Sequence, residues 1–324
     1  MADHDNGYKM LFSHPEMVAD LLRGFVREDW VRELDVSTLE KVPASFVGKK
    51  MRKRESDVLW RLRWRDGDRW LYVYLLLEFQ SKVDPFMAVR MMTYLGLLYE
   101  DLIRRGHLTP EGLLPPVLPL VLYNGLARWD GAQDVSELIE SVPGGLERYR
   151  PQLRYCLLDE GRIAVSDLEP LQNLAAALFR LERSRGPEDV QRVLEALLTW
   201  LEVPALSELR RSFGVWMREV LLPARVPGAV IPQMADLQEV KSMLAERVVE
   251  WTQEWKQQGF EEGIAQTAAT LRGMLLASLE ERFGALPDAV RRQVSSIGSV
   301  EELAKLLSRS GTAPSLASLG LAGD

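Results

Sequence analysis

Residues 57–82 read DVLWRLRWRDGDRWLYVYLLLEFQSK and predict the centre of a β-sheet. Polar and apolar residues alternate on both sides of a central Asp66-Gly67 pair. Alternation of this kind is typical of a half-buried strand, and Asp-Gly is the strongest short hairpin signal. The sequence therefore predicts two antiparallel strands, 57–64 and 70–82, with Trp64 opposite Arg69.

The same alternation assigns side chains to faces, because successive strand residues point to opposite sides of a sheet. One face of each strand is apolar throughout: Val58, Trp60, Leu62 and Trp64 in the first, and Leu71, Val73, Leu75, Leu77 and Phe79 in the second. Pairing these faces places Asp57 opposite Leu76, so that Glu78 is its diagonal neighbour at roughly 7–8 Å. Gln80 continues this row. A slip of one residue would send Asp57 to the other face.

Two carboxylates on a largely apolar sheet face repel one another and are costly to desolvate, and a bound cation removes both penalties. Mg²⁺ prefers oxygen ligands and keeps several waters, one of which can act as a hydrolytic nucleophile. Asp57 and Glu78 are therefore predicted to bind Mg²⁺ or another divalent metal. The alternative is that both acids lie at the solvated rim of the sheet and bind nothing.

The order Asp57, then Glu78-Phe79-Gln80, resembles the Asp and Glu-x-Gln signature of the Rpn recombination-promoting nucleases. These are also called YhgA-like putative transposases and belong to the PD-(D/E)XK nuclease superfamily. Further similarities cover about the first half of the chain: His4-Asp5, Tyr8 to Phe12, Arg90, Tyr94, Pro119 to Gly125, and Trp129. The resemblance implies an α/β sheet flanked by helices, Mg²⁺-dependent DNA endonuclease activity and a link to DNA recombination.

Gln80 stands where the wider superfamily has a lysine. A neutral amide can orient a water molecule but cannot supply positive charge to the transition state. Lys82 lies two residues further on the same face and is a candidate substitute, although a lysine that closes a strand is often simply solvated. Asp5 and Asp159 are further acidic candidates, but helix capping explains Asp5 and a strand-ending turn explains Asp159 without any metal.

A basic run precedes Asp57, and two arginines follow it on the predicted face. The candidate nucleic-acid-binding residues are Lys49, Lys50, Arg52, Lys53, Arg54, Arg61 and Arg63. The net charge of -7 excludes a uniformly basic surface, so DNA contact has to depend on such a local patch. A solvated loop is the alternative explanation of a short basic run.

The amino-acid composition excludes an internal disulfide and several other kinds of metal site. One cysteine and three histidines exclude an internal disulfide, a cysteine-based zinc cluster and histidine-rich metal chemistry. The sequence has neither a secretion signal nor an apolar run long enough to span a membrane, so we expect a cytoplasmic protein.

The predicted element order is helix, three strands, helix, strand, followed by helices. Ser13 with Glu16 fits a capping box at the start of a helix, and Pro43 assigns the strand-like segment 34–47 to a sheet edge. A helix from Asp84-Pro85 to about Arg105, whose apolar spacing predicts core packing, and two strands complete a PD-(D/E)XK-like domain at 1–160. The strands are 116–123, an apolar run bounded by Pro and Gly, and 153–158. The predicted later units are a helical extension at 161–232, a long amphipathic helix at 233–284 and a short helical tail at 285–324.

The long helix carries apolar residues at alternating spacings of three and four, which is typical of a coiled-coil seam. They are Leu237, Val240, Leu244, Val248, Trp251 and Trp255. The pattern predicts a homo-oligomer, such as a dimer, with packing onto the chain's own core as the alternative. The small-residue C-terminus is predicted to fray.

Two functions fit these observations. The first is a Mg²⁺-dependent DNA endonuclease in which Asp57 and Glu78 bind the metal and Gln80 orients water. The second is a catalytically weak or inactive nuclease-fold protein that binds DNA and oligomerises. An unrelated α/β enzyme would have to match the ordered set of motif residues by chance.

Overall fold

The structure, a computed structural model, describes residues 2–42, 58–65, 67, 69–78, 83–125, 127–142, 144–184, 186–226, 231–234 and 236–321. Within these ranges the side chains of residues 2–5, 74–78 and 246–262 are not described. Contacts divide the chain into two compact units, Met1–Thr252 and Gln253–Asp324.

The first unit is built on a five-stranded mixed sheet with the order β1-β2-β3-β4-β5. The strands are β1 Leu34–Lys41, β2 Val58–Trp64, β3 Trp70–Glu78, β4 Val117–Tyr123 and β5 Cys156–Asp159. The first three are antiparallel neighbours, whereas β3, β4 and β5 run parallel. The mixed α/β class predicted from the sequence is confirmed, and β1 lies at the predicted edge.

The hairpin of β2 and β3 has the register that the sequence predicted. Val58 pairs with Leu75 and Arg63 with Trp70, and the Trp64 amide donates to the Arg69 carbonyl at 3.1 Å. The connection contains Gly67 at φ +131°, a conformation that only glycine adopts readily. The two apolar faces therefore coincide, as the alternation required.

One sheet face is covered by α3, Met87–Arg105, which crosses over between the parallel strands β3 and β4. Its Met91, Tyr94 and Leu98 pack with Leu59 of β2 and Val121 of β4 in one buried cluster. This is the core packing that the helix spacing predicted. Asp84 accepts a hydrogen bond from the Phe86 amide at 2.9 Å and so supports the turn before the helix.

The other face is covered by α1, Ala2–Leu11, and α2, Pro15–Phe25. The Trp60 ring enters this layer and donates from Nε1 to the Phe12 carbonyl at 3.0 Å. The predicted capping box is wrong: α2 begins at Pro15 after His14, and the Ser13 hydroxyl donates instead to the Lys9 carbonyl at 2.5 Å. The end of α1 is one turn away and competes successfully for that hydroxyl.

A layer of later helices packs onto α1 and α2. They are α4 Val165–Leu168, α5 Leu174–Glu182, α6 Pro187–Trp200, α7 Ser207–Trp216 and, after a π-helical segment at Met217–Leu221, α8 Leu222–Arg225. Phe25 meets Phe179 edge to face at 5.0 Å, and Asn173 donates to the Asp20 carbonyl at 2.7 Å. The predicted helices after residue 167 are confirmed, and they contact the N-terminal helices.

The long helix α9, Leu237–Phe283, confirms the predicted helical segment and ends at Gly284, whose φ is +75°. In the second unit, α10 Asp288–Ser296 and α11 Val300–Ser310 pack on Leu275 and Leu279. The prediction of a frayed end is wrong up to Leu321, because Leu319 and Leu321 are buried in the same cluster. No helix in the described part of the chain is long and apolar enough to cross a membrane.

Candidate active site

The candidate active site lies at the carboxyl ends of the parallel strands. Glu78 at the end of β3 pairs with Tyr123 of β4, and Tyr123 pairs with Asp159 of β5. Parallel strands bring their carboxyl ends to one edge of a sheet, which is where open α/β sheets commonly bind ligands. The hairpin register therefore carries the predicted acidic row towards this edge.

The predicted metal ligands are only partly within the described residues. Asp57, Gln80 and Lys82 lie outside them, and of Glu78 the backbone alone is described. The structure thus confirms the strand pairing from which the acidic row was derived, while the row itself stays a prediction. Elsewhere in the described ranges, no group of three or more His, Cys, Asp or Glu side chains is arranged to hold a metal.

The other two acidic candidates are Asp159 and Asp5. Asp159 ends β5, and its Oδ2 accepts a hydrogen bond from the Trp129 amide at 3.3 Å. This bond anchors the loop that contains Trp129 to the end of the strand. Asp5 lies within α1, in the part of the helix whose side chains are not described. Neither observation brings these residues to Glu78.

Two glutamates that the sequence did not single out lie beside this edge, Glu160 buried and Glu182 partly buried. Glu160, directly after β5, is 3% exposed and accepts a hydrogen bond from the Tyr8 hydroxyl at 3.1 Å. Glu182, at the end of α5, accepts one from the Asn124 amide at 3.4 Å. Burial raises the pKa of both carboxyls, and for Glu160 the charge of Glu182 raises the pKa further. The pair therefore retains a proton more readily than free glutamates do.

No simple sequence pattern reveals this cluster, because its members come from four distant segments. The signals were two residues in stretches that resemble the Rpn family, Asn124 and Tyr8. Burial raises the pKa of the Tyr8 phenol well above the ordinary value, with Glu160 and Glu182 adding to the rise. Tyr8 is therefore a neutral hydrogen-bond donor at physiological pH.

The motif at the end of β4 forms an aromatic support for the site. Tyr123 meets Trp129 edge to face at 4.9 Å, and Trp129 donates from Nε1 to the Tyr155 hydroxyl at 3.1 Å. A Cβ at Gly125 would overlap the Tyr123 hydroxyl and ring. Glycine is therefore required where the chain folds back over Tyr123.

The motif residues of α3 also have packing roles. Arg90 forms an ion pair with Asp84 at 2.8 Å, which ties the helix to the segment before it. Tyr94 is buried in the cluster beneath the sheet. These contacts fix α3 against the strands that carry the predicted site.

The predicted nucleic-acid-binding residues divide into two groups. Lys49, Lys50, Arg52, Lys53 and Arg54 lie outside the described residues. The guanidinium carbons of Arg61 and Arg63 lie 4.3 and 4.7 Å from the Trp70 ring centroid. Arg61 also forms a two-nitrogen contact with Glu40 at 2.6 and 2.8 Å. Part of its charge is therefore already balanced within the protein.

Comparison with known proteins gives several relatives. The chain is 36% identical over 123 residues to the recombination-promoting nuclease RpnD of Escherichia coli O157:H7, across 38% of this chain and 45% of that protein. It is 31% identical over 123 residues to the recombination-promoting nuclease RpnA of Escherichia coli strain K12, across 38% and 40%. It is also 39% identical over 92 residues to the K12 protein named "putative inactive recombination-promoting nuclease-like protein YjiP", across 28% and 86%.

These similarities are partial. The aligned stretches span less than half the length of RpnD and RpnA. No solved structure matches the chain. The family model described as "Putative transposase, YhgA-like" matches residues 2–209, which include the whole sheet and the helices packed on it. This chain belongs to the YhgA-like putative transposase family.

Proposed function

We propose that this protein is a Mg²⁺-dependent DNA endonuclease that hydrolyses phosphodiester bonds and takes part in DNA recombination. The observation that supports the proposal is the β2–β3 register, which pairs Val58 with Leu75. Extending this register by one residue is what predicts Asp57 on the same face as Glu78. Relatives named recombination-promoting nucleases support the activity. Their alignments cover only part of their length, so cleavage by this chain is our inference.

The donor set fits a hard cation. Asp57 and Glu78 offer carboxylate oxygens, which Mg²⁺ prefers over nitrogen or sulfur. When bound, the metal would activate water and neutralise charge on the phosphate. Gln80 would orient the attacking water through its amide, and Lys82 would place a positive charge near the phosphate.

Cleavage of supercoiled plasmid tests the proposal. The purified protein with Mg²⁺ should give nicked or linear products, and Asp57→Ala or Glu78→Gln should each lower the rate on the order of 10²-fold or more. Glu208→Gln, which changes an exposed glutamate on α7, is the matched control and should leave the rate unchanged. Cleavage that persists undiminished in Asp57→Ala would come from another site or a contaminating nuclease.

A second function has specific support. YjiP and RpnE, both relatives of this chain, are named inactive, and Gln80 replaces the lysine of the wider superfamily. The chain would then bind DNA and oligomerise without cutting it. DNA retention without any product in Mg²⁺, Mn²⁺ or Co²⁺ would favour this function over the first.

A further inference from the structure

Four arginines surround one cavity of about 480 Å³ that is separate from the predicted metal site. Arg23 and Arg27 come from the end of α2 and the segment after it, Arg32 from the 3-10 helix Asp29–Glu33, and Arg65 from the residue after β2. The Arg65 amide donates to the Glu33 carbonyl at 2.8 Å, so backbone pairing holds two of these segments together. We call this cavity the arginine pocket.

The arginine pocket has an excess of positive charge. Its lining contains these four arginines against two carboxylates, Glu28 and Asp29. Asp35, outside the lining, has a lowered pKa because Ser37 donates hydrogen bonds to it, with Arg65 and Arg23 adding smaller effects. A local excess of cations contrasts with a chain of net charge -7.

The four guanidinium groups are exposed and retain most of their hydrogen-bonding capacity. Among the residues that the structure describes, none of them forms an ion pair, and Arg65 alone has a side-chain hydrogen bond, from Nε to the Leu34 carbonyl at 3.3 Å. Like charges held together without partners repel each other, and a bound anion removes that repulsion. Guanidinium groups bind phosphate through paired N–H donors more specifically than ammonium groups do.

The pocket lies far from Glu78 along the sheet. Leu34 and Arg65 flank the end of the sheet where β2 finishes and β3 starts, whereas Glu78 is the last residue of β3. Nine strand residues span about 26 Å at roughly 3.3 Å per step. A phosphate group bound in the pocket therefore does not reach the predicted metal ligands, and it contributes binding energy rather than chemistry.

We infer that the arginine pocket binds the phosphate backbone of DNA at a distance from the cleavage centre. The choice of DNA rests on the proposed function, since the chemistry of the pocket itself specifies phosphate groups. Such contacts position a duplex without reading its sequence, and each one contributes to the salt dependence of binding. The pocket adds a second contact surface to the predicted basic run at residues 49–54.

Equilibrium binding of a fluorescent duplex of about 25 base pairs to the full chain tests this inference. EDTA is present so that no cleavage occurs. Arg23→Ala/Arg27→Ala should weaken binding about tenfold and lower the slope of log K against log salt by about 1–2. The matched control is Arg192→Ala/Arg211→Ala, which removes two exposed arginines from α6 and α7 and the same total charge. It should change affinity less than twofold.

Equal weakening by both pairs would overturn the inference, because net charge alone would then explain the effect. A competition arm with 5 mM inorganic phosphate, at constant ionic strength, distinguishes the source of the phosphate group. If phosphate binds the wild-type pocket but the Arg23→Ala/Arg27→Ala change leaves DNA affinity intact, the pocket is a free-phosphate site and the assignment to DNA fails. All four substitutions are at exposed positions, and unchanged circular dichroism and melting temperatures verify folding.

The outcomes separate this inference from the proposed function. DNA binding that is weakened only by the pocket pair, in a protein that never cuts DNA, supports the pocket and contradicts the endonuclease. DNA cleavage with a KM that is unchanged in the Arg23→Ala/Arg27→Ala variant supports the endonuclease and contradicts the pocket. If the protein cuts DNA and the arginine pocket binds it, the Arg23→Ala/Arg27→Ala variant should show a KM raised about tenfold and an unchanged kcat.

Discussion

The Tyr8 hydroxyl donates a hydrogen bond to Glu160 Oε2 across 3.1 Å, and this bond joins α1 to the end of β5. The two residues are 152 positions apart in the chain, and both are buried. Glu182 at the end of α5 lies beside them and also has a raised pKa. A neutral phenol and a carboxyl pair that retains a proton thus connect three elements around the strand ends.

This cluster predicts a pH dependence of stability. Burial raises the pKa of Glu160 in the folded protein, so the folded state keeps a proton that the unfolded chain releases above its ordinary pKa near 4.5. The stability contributed by this group is complete below that pKa and is lost as pH rises through the raised folded value. In Glu160→Gln the amide is neutral at every pH. The melting temperature of this variant relative to wild type should therefore increase from pH 5 to pH 8.

The measurement is thermal unfolding followed by circular dichroism at several pH values in that range. Glu188→Gln, an exposed substitution in the first turn of α6, is the control and should give a difference that does not vary with pH. A flat difference for Glu160→Gln as well would show that Glu160 is ionised in the folded protein throughout.

Gly125 is predicted to be intolerant of a side chain. Gly125→Ala places a methyl group on the Tyr123 ring and should destabilise the first unit by about 1–3 kcal/mol. Gly96→Ala is the matched control, because Gly96 is an exposed position of helix α3 where an added Cβ meets nothing within 4 Å. It should stabilise by about 0.5–1 kcal/mol. Urea unfolding measures both, and equal effects would contradict the described turn.

Trp60 is predicted to stabilise the contact between the sheet and α1. Trp60→Phe removes the Nε1 donor to the Phe12 carbonyl and should cost about 1–3 kcal/mol. Trp30→Phe is the control, because Trp30 is only partly buried and its ring meets Trp64 in a tilted arrangement at a centroid distance of 6.2 Å. Its cost should be below about 1 kcal/mol. The two free energies of unfolding would be indistinguishable if the Trp60 bond contributed nothing.

The proposed DNA cleavage should depend on a divalent metal and on the side chain at position 80. EDTA should abolish plasmid cleavage and excess Mg²⁺ should restore it. Gln80→Lys supplies the positive charge of the wider superfamily and should raise kcat about tenfold or more, whereas Gln80→Ala should lower it. A similar kcat in all three proteins would place residue 80 away from the scissile phosphate.

Part of the apolar surface of the long helix α9 is already used in packing within the protein. Leu237 and Leu244 are buried within the first unit, and Leu275 and Leu279 within the second, which agrees with packing onto the chain's own core. We propose that self-association through α9 uses the middle of the helix, where Trp251 and Trp255 lie in the sequence.

Sedimentation tests this proposal. If the chain is a dimer, Trp251→Glu/Trp255→Glu should give a monomer, because two charges in an apolar seam are costly to bury. Ile264→Glu, at an exposed position of the same helix, should leave the association unchanged. A dimer that persists in the tryptophan variant would have its interface elsewhere.

The sequence by itself determined the local pattern of the sheet. Alternation in 57–82 and the Asp-Gly pair set the hairpin register, because one face of each strand had to be buried and a one-residue slip would expose it. Apolar spacing likewise predicted α3, and an apolar run bounded by Pro and Gly predicted β4. These are short-range properties, which neighbouring residues specify.

Only the tertiary structure decided which distant groups meet. Glu160 and Glu182 look like ordinary charged residues in the sequence, and their shared burial with Tyr8 exists only once α1, β5 and α5 are packed together. The same holds for the arginine pocket, whose members come from separate segments. The frayed C-terminus was mispredicted for the same reason, because Leu319 and Leu321 are buried in a core that exists only after packing. The predicted cap at Ser13 failed for a local reason instead, the nearby Lys9 carbonyl at the end of α1. Burial and electrostatic environment depend on all surrounding elements, so no local pattern encodes them.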